Sequence, residues 1–180
     1  VVAVFANSGD MERRTGGAIT AATHPFLDDE LKAAAALIRA ACGWHVAPRR
    51  EVTVSQRVGF ARDVRLPAME IHSVVSVTLD GVLVAPELVL FDRATGWTNL
   101  RGASWDVTFV AGFDDVPPDL VALTLQVAAR ALSSPTGVTR EQIGQHSVSF
   151  SLTGAQSAGG AVLLPSEREQ LVPYTLGALP

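Results

Sequence analysis

Four histidines, His24, His45, His72 and His146, are the side chains best suited to hold a metal or move a proton near neutral pH. No two of them share the i, i+4 spacing that places a ligand pair on one helix face, and none lies in a metal-binding motif. Cys42 is the single cysteine, so neither an intramolecular disulfide nor a cysteine-based zinc site can form within one chain. It closes an apolar stripe, where a thiol behaves as a small buried hydrophobe. The runs Asp28-Asp29-Glu30 and Asp114-Asp115 place carboxylates side by side, as acid–base chemistry requires, but both precede helical patterns. Acids at a helix entry cap free N–H groups and complement the dipole. The chain contains no GxSxG, no phosphate-binding GxxxxGK and no GxGxxG after a strand pattern, and Gly159-Gly160 falls in a small-residue linker. These residues predict no catalytic site, metal or cofactor.

The remaining chemistry is electrostatic. Arg49, Arg50, Arg57, Arg62 and Arg65 form a basic cluster that suits DNA phosphates, an acidic partner or plain solvation. The net charge of −4 argues against binding nucleic acid with the whole surface, because that binding rests on Lys and Arg neutralising phosphates. Trp44, Trp97 and Trp105 read as core or interface anchors.

The elements that position these residues follow from composition and periodicity. Hydrophobic residues at 48% and charged residues at 18% predict a folded domain with a real core. The apolar opening Val1–Ala6 is too short for a membrane span, and no stretch reaches the roughly 18 apolar residues one requires. A short helix is predicted over residues 8–15, capped by Ser8 and stopped by Gly16. A second spans 29–42, with Asp28 at its N-cap, and Leu31, Ala34, Ala35, Ile38 and Cys42 form its apolar stripe. Gly43 suits a left-handed cap.

Residues 51–110 read as β-rich. Ile71, Ser73, Val75, Val77 and Leu79 alternate along one strand face, and Asp80-Gly81 predicts a type I′ hairpin. Leu88–Phe91 and the run Trp105, Val107, Phe109 read as further strands, with a turn at Asp92–Gly96 between them.

Pro117-Pro118-Asp119 opens a third helix, 118–132, with two apolar stripes. One is Leu120, Leu123, Val127 and Ala131; the other is Val121, Leu125, Ala128 and Leu132. A helix apolar nearly all round is either central to a core or packed between subunits. A strand is expected over 146–152, with Val148, Phe150 and Leu152 on one face, and a linker over 154–160. Ser166 and Glu169 suggest a capping box for a short helix before Pro173. So short a helix must dock on something. The expected organisation is a core over 1–154 and a linker with a docking arm over 155–180. The fold class is α+β: a small helical bundle with an antiparallel β-rich insertion and an extended C-terminal arm.

Two segments taken together carry a resemblance. The first is Ala35–Pro48, AALIRAACGWHVAP; the second is Val107–Leu120, VTFVAGFDDVPPDL, continuing through AARAL at 128–132 to PTGV at 135–138. With FANSGDMERR at 5–14, GQHSVSF at 144–150 and LPSE at 164–167, this order resembles the head-to-tail connector (adaptor) proteins of long-tailed bacteriophages, particularly those of actinobacteria. The resemblance covers most of the chain. It departs from the family pattern in a long stretch at Ala18–Phe26 and in Ala85-Pro86-Glu87 after the hairpin.

The resemblance implies a structural virion protein without catalytic residues. It is expected to be made in the host cytoplasm and incorporated in the neck as a cyclic homo-oligomer, typically twelve-fold. The portal protein would lie on one side and the downstream neck or head–tail stopper protein on the other, with genomic DNA passing through the lumen without sequence specificity. No membrane is involved. The expected interface residues are Val121, Leu125, Ala128 and Leu132 on the third helix, with Leu164, Leu171 and Tyr174 on the arm. A tail-completion or minor capsid protein is the alternative of the same class; a small ligand-binding domain or hydrolase with an unrecognised site is the alternative of another.

Overall fold

A computed structural model describes residues 4–133, 140–143, 146–149 and 162–177. The fold is α+β, and the chain divides into two compact units. The first comprises residues 1–41 and 117–173; the second comprises 42–116 and 174–180. The expected division is 1–154 and 155–180; of the described residues after it, 162–173 fall in the first unit and 174–177 in the second.

The first unit is mainly helical. Helix α1 is Ser8–Thr15, and its cap is Asn7 rather than Ser8. The Asn7 side chain accepts from the Asp10 N–H at 3.0 Å, and the Asp10 carboxylate accepts from the Asn7 N–H at 2.9 Å, so two free donors of the first turn are satisfied reciprocally. Gly16, with φ at 59°, stops the helix. Helix α2, Leu27–Cys42, starts two residues before its predicted beginning, so Asp28 lies inside the first turn and acts on the dipole rather than as the cap. Its stripe Leu31, Ala34, Ala35, Ile38 and Cys42 is buried as the spacing predicts.

Helix α3, Pro118–Ser133, buries Leu120, Leu123, Thr124, Leu125, Val127, Ala128 and Ala131. Thr124 is accommodated there because its hydroxyl donates to the Leu120 carbonyl at 2.7 Å. After α3, strands Arg140–Ile143 and His146–Ser149 pair antiparallel as a hairpin. The first of these was not anticipated, and the expected positions Phe150 and Leu152 lie outside the described residues. The last helix, Pro165–Gln170, has proline in its first turn.

The second unit is a four-stranded antiparallel sheet. Strand β1 is Arg50–Arg65, β2 is Ile71–Leu79, β3 is Val82–Val84 and β4 is Trp97–Ala111, in the order β1-β4-β2-β3. Asp80 and Gly81 both have positive φ, 49° and 83°, which fits the type I′ turn predicted between β2 and β3. β2 departs from clean alternation. Its register against β4 shifts twice, between Ile71 and Ser73 and between Val74 and Ser76. Ile71 and Val77 are therefore buried while Ser73 and Val75 face out, which corrects the face predicted by period-two reading.

The segment 88–91 is not a regular strand. Pro86 opens a short 3-10 turn, Pro86–Leu88, and a single bridge, Phe91 to Thr98, follows. The Asp92–Gly96 turn forms as expected. The Asp92 carboxylate accepts from the N–H groups of Ala94 and Thr95 and from the Thr95 hydroxyl, and Gly96 has φ at 69°. On β4, Trp105, Val107 and Phe109 point into the core at 2% exposure or less.

Candidate interaction surfaces

The histidines settle into structural positions where they are described. His45 is buried, with Nε2 2.9 Å from the Ala111 carbonyl, and His72 Nε2 lies 3.0 Å from the Gly112 carbonyl. Two residues far apart in sequence thus meet consecutive carbonyls at the end of β4, a convergence that their spacing could not reveal. Gly112 is required there: its φ is 111°, and a Cβ would stand 2.6 Å from His45 Nε2. His24 Nδ1 lies 2.9 Å from the Thr23 hydroxyl. The side chain of His146 is outside the described residues. Among the described residues, no group of three or more His, Cys, Asp and Glu could hold a metal ion.

One carboxylate of each acidic run is held in an ion pair, and the thiol is buried. Asp29 pairs with Lys32 at 3.0 Å on α2, and Asp114 pairs with Arg49. Cys42 is buried, and burial pushes its thiol up to about 11, well away from the reactive thiolate form at neutral pH.

The expected interface divides into core and surface. Leu125, Ala128 and Leu171 are buried within the chain itself, so they serve as core rather than as contacts for a neighbour. Half of the second stripe of α3 is thus consumed by its own fold. Val121, Leu132, Leu164 and Tyr174 are only half-buried. Tyr174 belongs to an aromatic cluster in the second unit. Its ring meets Phe113 edge-on at 5.9 Å, Phe113 lies 6.3 Å from Trp44, and the Trp44 indole N–H donates to the Tyr174 carbonyl at 2.7 Å. The Leu176 N–H donates to the Cys42 carbonyl at 2.9 Å.

The short helix Pro165–Gln170 docks through charge. Glu167 is 1% exposed and forms a bidentate pair with Arg130 of α3, at 2.7 and 3.0 Å. It also accepts from the Leu164 N–H at 2.8 Å and from the Gln126 amide at 3.2 Å. Arg130 donates in addition to the Val162 carbonyl. Glu167, not Glu169, is therefore the acid that reaches back to the helix start. Burial pushes the Glu167 carboxyl up, but the Arg130 guanidinium and the two N–H donors outweigh it and hold the pKa below its ordinary value. The pairing was invisible in the sequence because the partners are 37 residues apart.

The basic cluster lies along and just before β1, and all five arginines are exposed. Two are engaged: Arg49 by Asp114, and Arg57 by Asp106 at 3.1 Å. Arg62 stands over the Phe60 ring at 5.3 Å. Arg50, Arg62 and Arg65 make no ion pair among the described residues. The structure thus spreads the cluster along a strand instead of gathering it into one pocket.

The most exposed large apolar side chains of the second unit gather elsewhere. Val82 and Leu83 on β3, with Leu88 and Leu90 just beyond it, are 64–77% exposed. Phe60 on β1 is 65% exposed. Cavities within each unit are open and modest. One of about 320 Å³ lies among Leu37, Ala41, Leu163 and Arg168, and one of about 220 Å³ lies among Arg65, Met69, Thr95 and Leu176. Neither gathers a set of convergent polar groups of the kind that orients a substrate. Among the described residues, no helix is long and apolar enough to cross a membrane. No protein-family model matches the chain, and no curated protein matches it.

Proposed function

We propose that this protein is a structural component of a bacteriophage neck, assembling as a cyclic homo-oligomer between the portal and the next neck protein, with DNA passing through its lumen. The role is architectural rather than catalytic. The observation that carries the reading is the set of large apolar side chains, Val82, Leu83, Leu88 and Leu90, left 64–77% exposed on the sheet unit. Large apolar side chains left exposed on neighbouring segments are candidates for contacts with other proteins. The ordered series of segments resembling phage connectors supplies the specific setting: the virion neck, reached from the host cytoplasm. Within that ring, Arg50, Arg62 and Arg65 are the cluster members open to DNA phosphates or to an acidic partner surface. Contacts with DNA would be sequence-independent and would weaken as salt rises.

Negative-stain imaging of the purified full chain, with mass from light scattering, tests the reading. Closed rings with a central channel are expected. A monomer at every concentration contradicts it.

A further inference from the structure

The four-stranded sheet has two edges of opposite character. β1 forms one edge, and its 16 residues carry Arg50, Arg57, Arg62 and Arg65 against Glu51 and Asp63. The other edge is β3 and the segment that follows it. That segment continues along β4 on the side away from β1: the Asn99 N–H donates to the Leu90 carbonyl at 3.0 Å, and the Asp92 N–H donates to the Trp97 carbonyl at 2.8 Å. From Asp80 to Asp92 this edge carries three carboxylates, Asp80, Glu87 and Asp92, and no basic residue. It also bears the four most exposed aliphatic side chains of the unit.

We infer that the acidic, apolar edge of one copy docks against the basic β1 edge of a second copy. Charge complementarity selects the occupant: the chain itself presents the opposite charge on the opposite side of the same sheet. The exposed Phe60 of β1 gives the apolar side chains a counterpart, next to Arg62. A contact between two different surfaces of identical subunits is heterologous, and repetition of such a contact builds a ring where the rotation between copies closes. The inference rests on the proposed ring and names the surfaces that build it.

Docking proceeds through side chains rather than by adding strand to strand. β1 is interrupted by a register shift between Arg57 and Arg62, and its arginines line the edge. Bulges and charges of this kind keep an edge strand from extending a sheet. Asp80 and Asp92 already hold local backbone: Asp80 accepts from Ala103 and Ser104, and Asp92 from its own turn. Their orientation is therefore fixed in the free subunit, which limits the entropy lost on docking.

Two exposed-surface variants of the full chain test this. One carries Leu83→Arg with Leu88→Arg on the acidic edge; the other carries Arg62→Glu with Arg65→Glu on β1. Circular dichroism checks that both are folded, and sedimentation velocity reads their mass. The wild type is expected to associate and each variant to remain monomeric. An equimolar mixture is expected to associate again, because each variant supplies the edge that the other lacks. If either variant associates as the wild type does, or the mixture stays monomeric, the inference is overturned. Rings formed by both variants would mean that copies meet through other surfaces, which defeats this inference and leaves the ring standing. A wild type that never associates defeats both.

Discussion

Helix α3 and strand β1 are each 16 residues long and meet opposite fates. The helix buries seven of its residues, including all of one apolar stripe and half of the other; the strand buries Val64 alone. An apolar helix announces itself in sequence, and its very apolarity suggests a partner. Here that demand is met largely inside the chain, while the most exposed apolar side chains of the second unit lie on and beside β3, where the sequence is quieter. Apolarity of an element locates burial, whereas only the folded unit reveals which apolar side chains stay exposed.

The sharpest way to break this contrast is to charge the helix. Leu125→Asp places a carboxylate at a position 4% exposed, and Ala128→Arg places a guanidinium at a fully buried site. Both variants are expected to lose the cooperative melt altogether, measured by circular dichroism. A folded Leu125→Asp that fails only to assemble would return α3 to the interface.

Removal of residues 162–180 is the next largest effect. Leu163, Glu167 and Leu171 are buried, and their loss strips part of the core of the first unit. A docking arm would leave the melt of the remaining chain unchanged. The structure instead predicts a marked fall in the melting temperature.

Arg130→Met isolates the charge that holds this segment. It leaves Glu167 buried without its cation, and breaking a buried pair from one side costs about 3–5 kcal/mol in urea unfolding. The double variant Arg130→Met with Glu167→Leu is expected to recover most of that loss, since replacing both partners with apolar groups is often neutral. Equal losses in the single and double variants would show that the pair contributes nothing specific.

The same pair gives a pH dependence. The Glu167 carboxyl is held below its ordinary value, so the folded state binds its proton less readily than the unfolded state does. Its contribution is fully present above the ordinary carboxylate range and is lost as pH falls through the depressed folded value. Acid unfolding of the wild type should therefore be steeper than that of the double variant. Identical acid profiles would remove Glu167 from the account.

Much of the fold was legible because local chemistry and tertiary need agreed. Gly16 and Gly43 end helices, Asp80-Gly81 turns a hairpin, and the stripes of α2 and α3 point inward. The failures have physical causes. The two register shifts in β2 move Val75 outward, and no pattern of period two anticipates a bulge. Pro86 displaces a predicted strand in favour of a turn. Glu167 and Arg130, and His45 beside His72, meet only because the chain folds. The surface was least legible, since the arginines of β1 and the carboxylates of 80–92 acquire meaning only as opposite edges of one sheet.

The smallest expected change in stability accompanies the largest change in assembly. Leu83→Arg with Leu88→Arg alters side chains already 77% and 68% exposed, so stability should move by no more than about 0.5 kcal/mol per site. Association should nonetheless disappear.

In the proposed ring, copies of this chain meet through the two edges of the sheet. Sedimentation velocity of wild type, each edge variant and their equimolar mixture tests it most directly. The account predicts association for the wild type and the mixture, and monomer for each variant alone. Variants that sediment with the wild type, or a wild type that stays monomeric throughout, would contradict it.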